Sequence, residues 1–180
     1  MKKIIFLDHD GVMCLTGGER FAKTKKWLKQ YGTEFPVPIY CRMDNFDKKA
    51  IKILNEVLEK TEADIVVSSD WKLHCTIEEM QELYKHYGIS KTPIAFTPDF
   101  KIVNANLHDF YDHVGQRDTI RMEEIKLYLE KNHVDKWVAI DDIDLKQLDT
   151  VYGEKKFVHV KWTEGIKQSG IKEKVLSILE

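Results

Sequence analysis

Lys3-Ile4-Ile5-Phe6-Leu7-Asp8-His9-Asp10-Gly11-Val12 lies near the N-terminus. Its first half is a continuous apolar run rich in β-branched residues, with no polar alternation. Such a run reads as a strand buried on both faces, the kind found in parallel sheets covered by helices. Two aspartates and a glycine end it at once. On a plain strand Asp8 and Asp10 share a face. Gly11 lets the chain bend there, so the two carboxylates are free to take different positions.

Outward from this strand the pattern repeats. Asp64-Ile65-Val66-Val67 is a second apolar run, ended by Ser68-Ser69-Asp70. Pro93-Ile94-Ala95-Phe96 is a weaker third, Lys136-Trp137-Val138-Ala139-Ile140 a fourth ended by Asp141-Asp142, and Lys156-Phe157-Val158-His159-Val160 a fifth. Helical periodicity falls between them. Ala50, Ile51, Ile53, Leu54, Val57 and Leu58 share a face, as do Ile77, Met80, Leu83, Tyr84 and Tyr87, with Gly88 as a stop. Ile120, Ile125, Leu127, Tyr128 and Leu129 precede the fourth strand, and Ile171, Val175, Leu176 and Leu179 close the chain. Strands alternating with helices predict an α/β fold with a parallel sheet. Residues 16–42 do not fit. They hold Gly17-Gly18, a short amphipathic piece around Phe21 and Trp27, and Pro36 and Pro38, and they read as an insert over the carboxyl edge of the sheet. A second irregular stretch follows the third strand, and long loops on a rigid scaffold often carry function.

Composition narrows the classes. The 180 residues, 43% hydrophobic and 32% charged, fit one domain with a real core and exclude wholesale disorder. A net charge of −2 argues against holding nucleic acid by bulk charge, although a local basic groove stays open. No apolar stretch approaches a membrane span, and the run after Met1-Lys2-Lys3 is too short for a signal peptide. Cys14, Cys41 and Cys75 are odd in number and widely spaced, so they read as reduced thiols in the cytoplasm.

The chemistry lies at the strand ends. In open α/β sheets ligands bind outside the carboxyl ends of strands, near a switch in strand order. If the first and fourth strands are neighbours, Asp8, Asp10, Asp141 and Asp142 converge. Crowding carboxylates costs several kcal/mol unless a cation neutralises them. An oxygen-rich, cysteine-free set favours a hard cation, Mg²⁺ foremost.

Phe6-Leu7-Asp8-His9-Asp10-Gly11-Val12 resembles the first motif of the haloacid dehalogenase (HAD) superfamily. Ile65-Val66-Val67-Ser68-Ser69 resembles the second, and Val138-Ala139-Ile140-Asp141-Asp142 the fourth. A closer likeness is to the HAD domains of Swiss Army Knife RNA repair proteins, through Ser68-Ser69-Asp70-Trp71-Lys72 and Arg121-x-x-Glu124-Ile125-x-x-Tyr128-Leu129. That pattern usually reads Ser-Ser-x-Trp-Arg, so Lys72 departs from it. The resemblance implies a Rossmannoid three-layer sandwich of five mainly parallel strands, a single domain over 1–180 with a small cap at about 16–42. It implies a phosphatase in which Asp8 takes the phosphoryl group and Asp10 acts as general acid and then base. Mg²⁺ is then held by Asp8, the backbone carbonyl of Asp10, and Asp142, with Asp141 beside it. Ser68 contacts the phosphoryl oxygens, and Gly11, Ser69, Trp71 and Lys72 are expected around the substrate. The superfamily's basic residue is best matched by Arg121, with Arg117 and Lys72 as rivals.

Other features divide between roles. Trp71 reads as core packing or as a platform for a base. Lys23, Lys25, Lys26 and Lys29, with Trp27 among them, read as a solvated helix face or as a track for a phosphate backbone. His9, between the two acids, points away from their face. His108, Asp109 and His113 have metal-like spacing, but read as a solvated or substrate-facing loop. The expected substrate is a phosphorylated small molecule or nucleic-acid end, with no membrane and no obligate protein partner. The alternative from another class is a non-catalytic phosphate- or nucleic-acid-binding domain on the same fold.

Overall fold

A computed structural model describes residues 1–99, 117–153 and 155–180. Its centre is β1 (Lys3–Leu7), flanked by β2 (Asp64–Val67) and β4 (Lys136–Asp141), with β3 (Ala95–Phe96) and β5 (Phe157–His159) at the edges. All pairings are parallel, in the order β3-β2-β1-β4-β5. Ile5 is level with Ile65 on one side and Val138 on the other.

The strand period of two builds two cores. Ile5, Leu7, Ile65, Val67, Val138 and Ile140 face one layer, made by α3 (Lys48–Thr61), α4 (Ile77–His86) and α7 (Ile171–Leu179). Ile4, Phe6, Val66, Trp137 and Ala139 face the other, made by α5 (Arg117–Lys131) and α6 (Gln147–Tyr152). Ile4 to Leu7 have no solvent exposure. The result is the three-layer α/β arrangement that the apolar runs predict, and the sheet is parallel throughout. The chain runs outward from β1 to β3, then returns across β1 to β4. That switch in direction lies between β1 and β4, so the crevice opens at their carboxyl ends.

Capping fixes the helix starts. The Asp47 side chain accepts from the amides of Lys49 and Ala50 at the head of α3, and Thr76 with Glu79 forms a capping box on α4. Gly88, at φ 71°, follows the end of α4, where the sequence places the stop.

The segment 16–42, read as an insert with a short amphipathic piece, carries a solvated helix. Its helix α1 (Glu19–Tyr31) runs 13 residues and buries none of them, and Phe21 is 69% exposed. Polar contacts tether it instead of an apolar stripe. Lys23 Nζ donates to the Met43 carbonyl and Asn45 Oδ1, Thr24 Oγ1 to the Cys41 carbonyl, and the Arg20 amide to Asp44. A short helix α2 (Ile39–Arg42) follows and buries Ile39 and Cys41. Cys14, Cys41 and Cys75 are free thiols, and burial pushes the Cys14 thiol up to about 12. Among the described residues no helix is long and apolar enough to cross a membrane.

Candidate active site

The turn after β1 is tied at its base. The Asp8 amide donates to the Ile140 carbonyl of β4, and the Ser68 amide to the Leu7 carbonyl. The His9 carbonyl then accepts three amides, from Val12, Met13 and Cys14. This fold-back needs Gly11 at φ 71°. A Cβ on Gly11 would lie 2.3 Å from Asp142 Oδ2, so the glycine also clears the space that this carboxylate fills.

Carboxylate oxygens of Asp8, Asp141 and Asp142 all lie within 4.8 Å of one another. Asp8 and Asp141 are buried and Asp142 half-buried. Into this cluster α5 sends Arg121, also buried. Its Nη1 lies 3.0 Å from Asp8 Oδ1 and 3.1 Å from Asp141 Oδ2 and donates to the Ser68 carbonyl, while Nη2 reaches Asp70 at 3.3 Å. Burial works against the Arg121 charge, but Asp8, Asp141 and Asp70 outweigh it and raise its basicity. One guanidinium does not balance the acids. Burial pushes the Asp8 carboxyl up to about 6 despite Arg121, Ser69 and the His9 amide. Burial and then the Asp8 charge hold Asp141 well above the carboxylate range, and burial raises Asp142. Among the described residues one guanidinium faces these three carboxylates, which leaves negative charge for a cation to neutralise. The donors are all oxygen, which suits Mg²⁺. Asp8 and Asp142 are the side chains that would hold it, with Asp141 beside them pinned to Arg121 and to the Ile143 amide.

Ser68 Oγ is buried and has no hydrogen-bond partner among the described residues. Ser69 bonds to Asp8 and caps the 3₁₀ turn Asp70–His74. The structure therefore brings Asp8, Ser68, Ser69, Arg121, Asp141, Asp142 and Gly11 together. Asp10 is exposed at the rim, outside the carboxylate cluster.

Lys72 and Trp71 are both engaged by protein groups, and Trp71 follows the core-packing side of its two readings. Lys72 is not a free cation beside Asp8. It is 5% exposed, and its Nζ pairs with Glu124 Oε2 at 2.5 Å and Thr97 Oγ1 at 3.0 Å. Burial lowers its basicity against the pull of Glu124. Trp71 offers no platform to a base. It is 3% exposed, with Phe46 stacked at 5.6 Å and His9 at 4.8 Å. His9 does point away from the acids. It has no exposure, lies 2.9 Å from the Tyr84 hydroxyl, and is kept neutral by burial and Arg121, which lower it to about 3. The Arg117 side chain, and His108, Asp109 and His113, lie outside the described residues.

Sequence reasoning gave no role to Glu124, Asp70 or Thr97. The spacing Arg121-x-x-Glu124 was the available signal, because residues three apart share a helix face. The contact of Trp71 with Asp10 had none.

No curated protein and no solved structure matches the chain significantly. A family model, the HAD domain in Swiss Army Knife RNA repair proteins, matches residues 4–171. That span runs from β1 to the start of α7 and includes every residue placed in the cluster above. The chain thus belongs to the haloacid dehalogenase superfamily, in the family of HAD domains of Swiss Army Knife RNA repair proteins.

Proposed function

We propose that the chain hydrolyses phosphate monoesters through an aspartyl-phosphate on Asp8. Membership of the HAD family supports a phosphatase-type hydrolase at the superfamily level. The observation that carries the finer reading is the pairing of buried Asp8 with Arg121 inside the carboxylate cluster. Arg121 holds Asp8 Oδ1 and draws charge from the phosphoryl oxygens as they approach. The buried Ser68 hydroxyl, without a partner among the described residues, donates to one of those oxygens. An Asp8 oxygen forms a bond to phosphorus as the ester P–O bond breaks. The bonding pair goes to the leaving oxygen, which takes a proton from Asp10 and departs as an alcohol. Asp10, now a carboxylate, accepts a proton from the water that attacks phosphorus. Asp8 is released and inorganic phosphate leaves. Bound Mg²⁺ supplies positive charge that lets the three acids ionise together and screens the nucleophile from the phosphoryl group.

For the substrate, we favour a nucleic-acid terminal phosphate. A groove of about 700 Å³ runs along α1, with Phe21, Leu28 and Met43 as its apolar lining and Arg20, Lys25, Arg42 and His74 around it. Helix α1 carries Arg20, Lys23, Lys25, Lys26 and Lys29 against Glu19, while the whole chain is at −2. Exposed aromatic and basic side chains together fit bases and phosphates.

Turnover of aryl phosphate and of 3′- and 5′-phosphorylated oligonucleotides, with Mg²⁺ and with chelator, tests both statements. Metal-dependent release of phosphate is expected, and Lys25→Glu with Lys26→Glu should raise KM for the oligonucleotide alone. Phosphate binding without turnover would favour the non-catalytic alternative. Equal effects of the lysine reversals on both substrates would return α1 to a solvated face.

A further inference from the structure

The indole N–H of Trp71 donates to Oδ2 of Asp10 at 2.9 Å. Tryptophan offers one donor and no acceptor. An Asp10 oxygen that receives this bond is fixed as an acceptor, so the proton of the acid form falls to the other oxygen, Oδ1. Asp10 itself is exposed, and among the described residues its carboxylate has no other hydrogen-bond partner. Trp71 is fixed. Its ring is 3% exposed, stacked on Phe46 at 15° and packed by His9, whose own ring lies 2.9 Å from the Tyr84 hydroxyl. Its backbone amide donates to Ser69 Oγ, and Ser69 also bonds to Asp8. The acid at the rim is thereby referenced to the same short segment as the nucleophile.

We propose that Trp71 is a positioning residue, whose N–H holds Asp10 so that Oδ1 carries the proton given to the leaving oxygen. This rests on reading Asp8 as nucleophile and Asp10 as acid. In the step concerned the Asp8–P bond forms, the P–O ester bond breaks, and the Oδ1 proton passes to the departing oxygen. A misplaced Asp10 hurts only where that proton is needed. An alkyl phosphate leaves as an alkoxide and needs it. A nitrophenyl phosphate leaves as a stable phenolate and does not.

The test is kcat/KM for the two esters, which reports phosphoryl transfer to Asp8 and excludes the later hydrolysis. Trp71→Phe should lower the alkyl value about 10- to 100-fold and the aryl value by no more than about 3-fold, a share of the roughly 10²–10⁴ that a placed acid supplies. In an Asp10→Asn background the same change should cost the alkyl ester nothing further. If the Phe variant fails to fold, benzothienylalanine at position 71 keeps the ring's shape and removes the N–H, with the same expected split. Equal losses on both esters, or full alkyl activity in a folded variant, overturn the role of the indole alone. Turnover of neither ester by the unmodified protein overturns the reading of Asp8 and this proposal with it.

Discussion

Gly11 shows how one residue couples backbone to chemistry. Its positive φ is open to glycine at little cost, and its missing Cβ is the space into which Asp142 reaches. Gly11→Ala adds about 1 kcal/mol of backbone strain and also displaces a carboxylate of the cluster. Turnover should fall at least tenfold and need more Mg²⁺ for half-maximal rate, read from a metal titration. Gly88→Ala is the control, because Gly88 has the same φ with nothing within 4 Å of the added Cβ. It should cost stability alone. Parity of the two variants in turnover would contradict the role given to Gly11. The bend at Gly11 was legible in Asp8-His9-Asp10-Gly11, but its neighbour Asp142 was not. A string shows where a glycine is needed only when the thing it makes room for is local. Trp71 repeats the point, since its apolar character was plain and its one polar atom meets a residue far away in sequence.

Elements were legible in proportion to how much of their surface is buried. The continuous runs of β1, β2 and β4 match their observed bounds to within a residue, because strands covered on both faces leave no polar position to blur the ends. β3 is shorter than its apolar run, ordered over Ala95–Phe96, with Pro93 lacking the N–H a ladder needs. α6 is six residues with one buried side chain, Leu148, too little to write a period. α1, read as a short amphipathic piece with a solvated face, is held by hydrogen bonds from Arg20, Lys23 and Thr24, which periodicity cannot show. Capping is the element-scale feature that is easiest to test. Asp47 is partly buried, which opposes its charge, but Lys167 and the amides of Ala50 and Lys49 outweigh this and depress its carboxyl. A depressed acid stabilises the fold above its unfolded value and loses that contribution as pH falls through the folded one. Asp47→Ala should cost about 1 kcal/mol at neutral pH. The gap to wild type should begin to narrow as pH falls below about 4. Urea unfolding at pH 7 and pH 3 reads both, and a gap as wide at pH 3 as at pH 7 would mean that Asp47 acts through packing.

At the scale of the molecule the switch between β1 and β4 decides everything downstream. It sets Asp8 beside Asp141 and Asp142 and leaves α5 to deliver Arg121 across the same crevice. The sequence carried the acids and Arg121 and left the adjacency of β1 and β4 as a condition; the three acid partners of Arg121 required coordinates. An unbalanced cluster is expected to make the fold respond to metal. Mg²⁺ at about 100 times its Kd should add roughly 2.7 kcal/mol of stability. Thermal melts with and without chelator read this, and Asp142→Ala should abolish the shift while removing one source of repulsion from the metal-free form. An unchanged melting temperature in wild type would count against the metal site. The proposed function turns on Asp8 taking the phosphoryl group. The most direct measurement is to quench turnover in acid, reduce the trapped acyl phosphate with borohydride, and sequence the peptides by mass spectrometry. Homoserine is expected at position 8, present only with substrate and absent from Asp8→Asn. Turnover that leaves position 8 unmodified, with Asp8→Asn active to within tenfold of wild type, would contradict it.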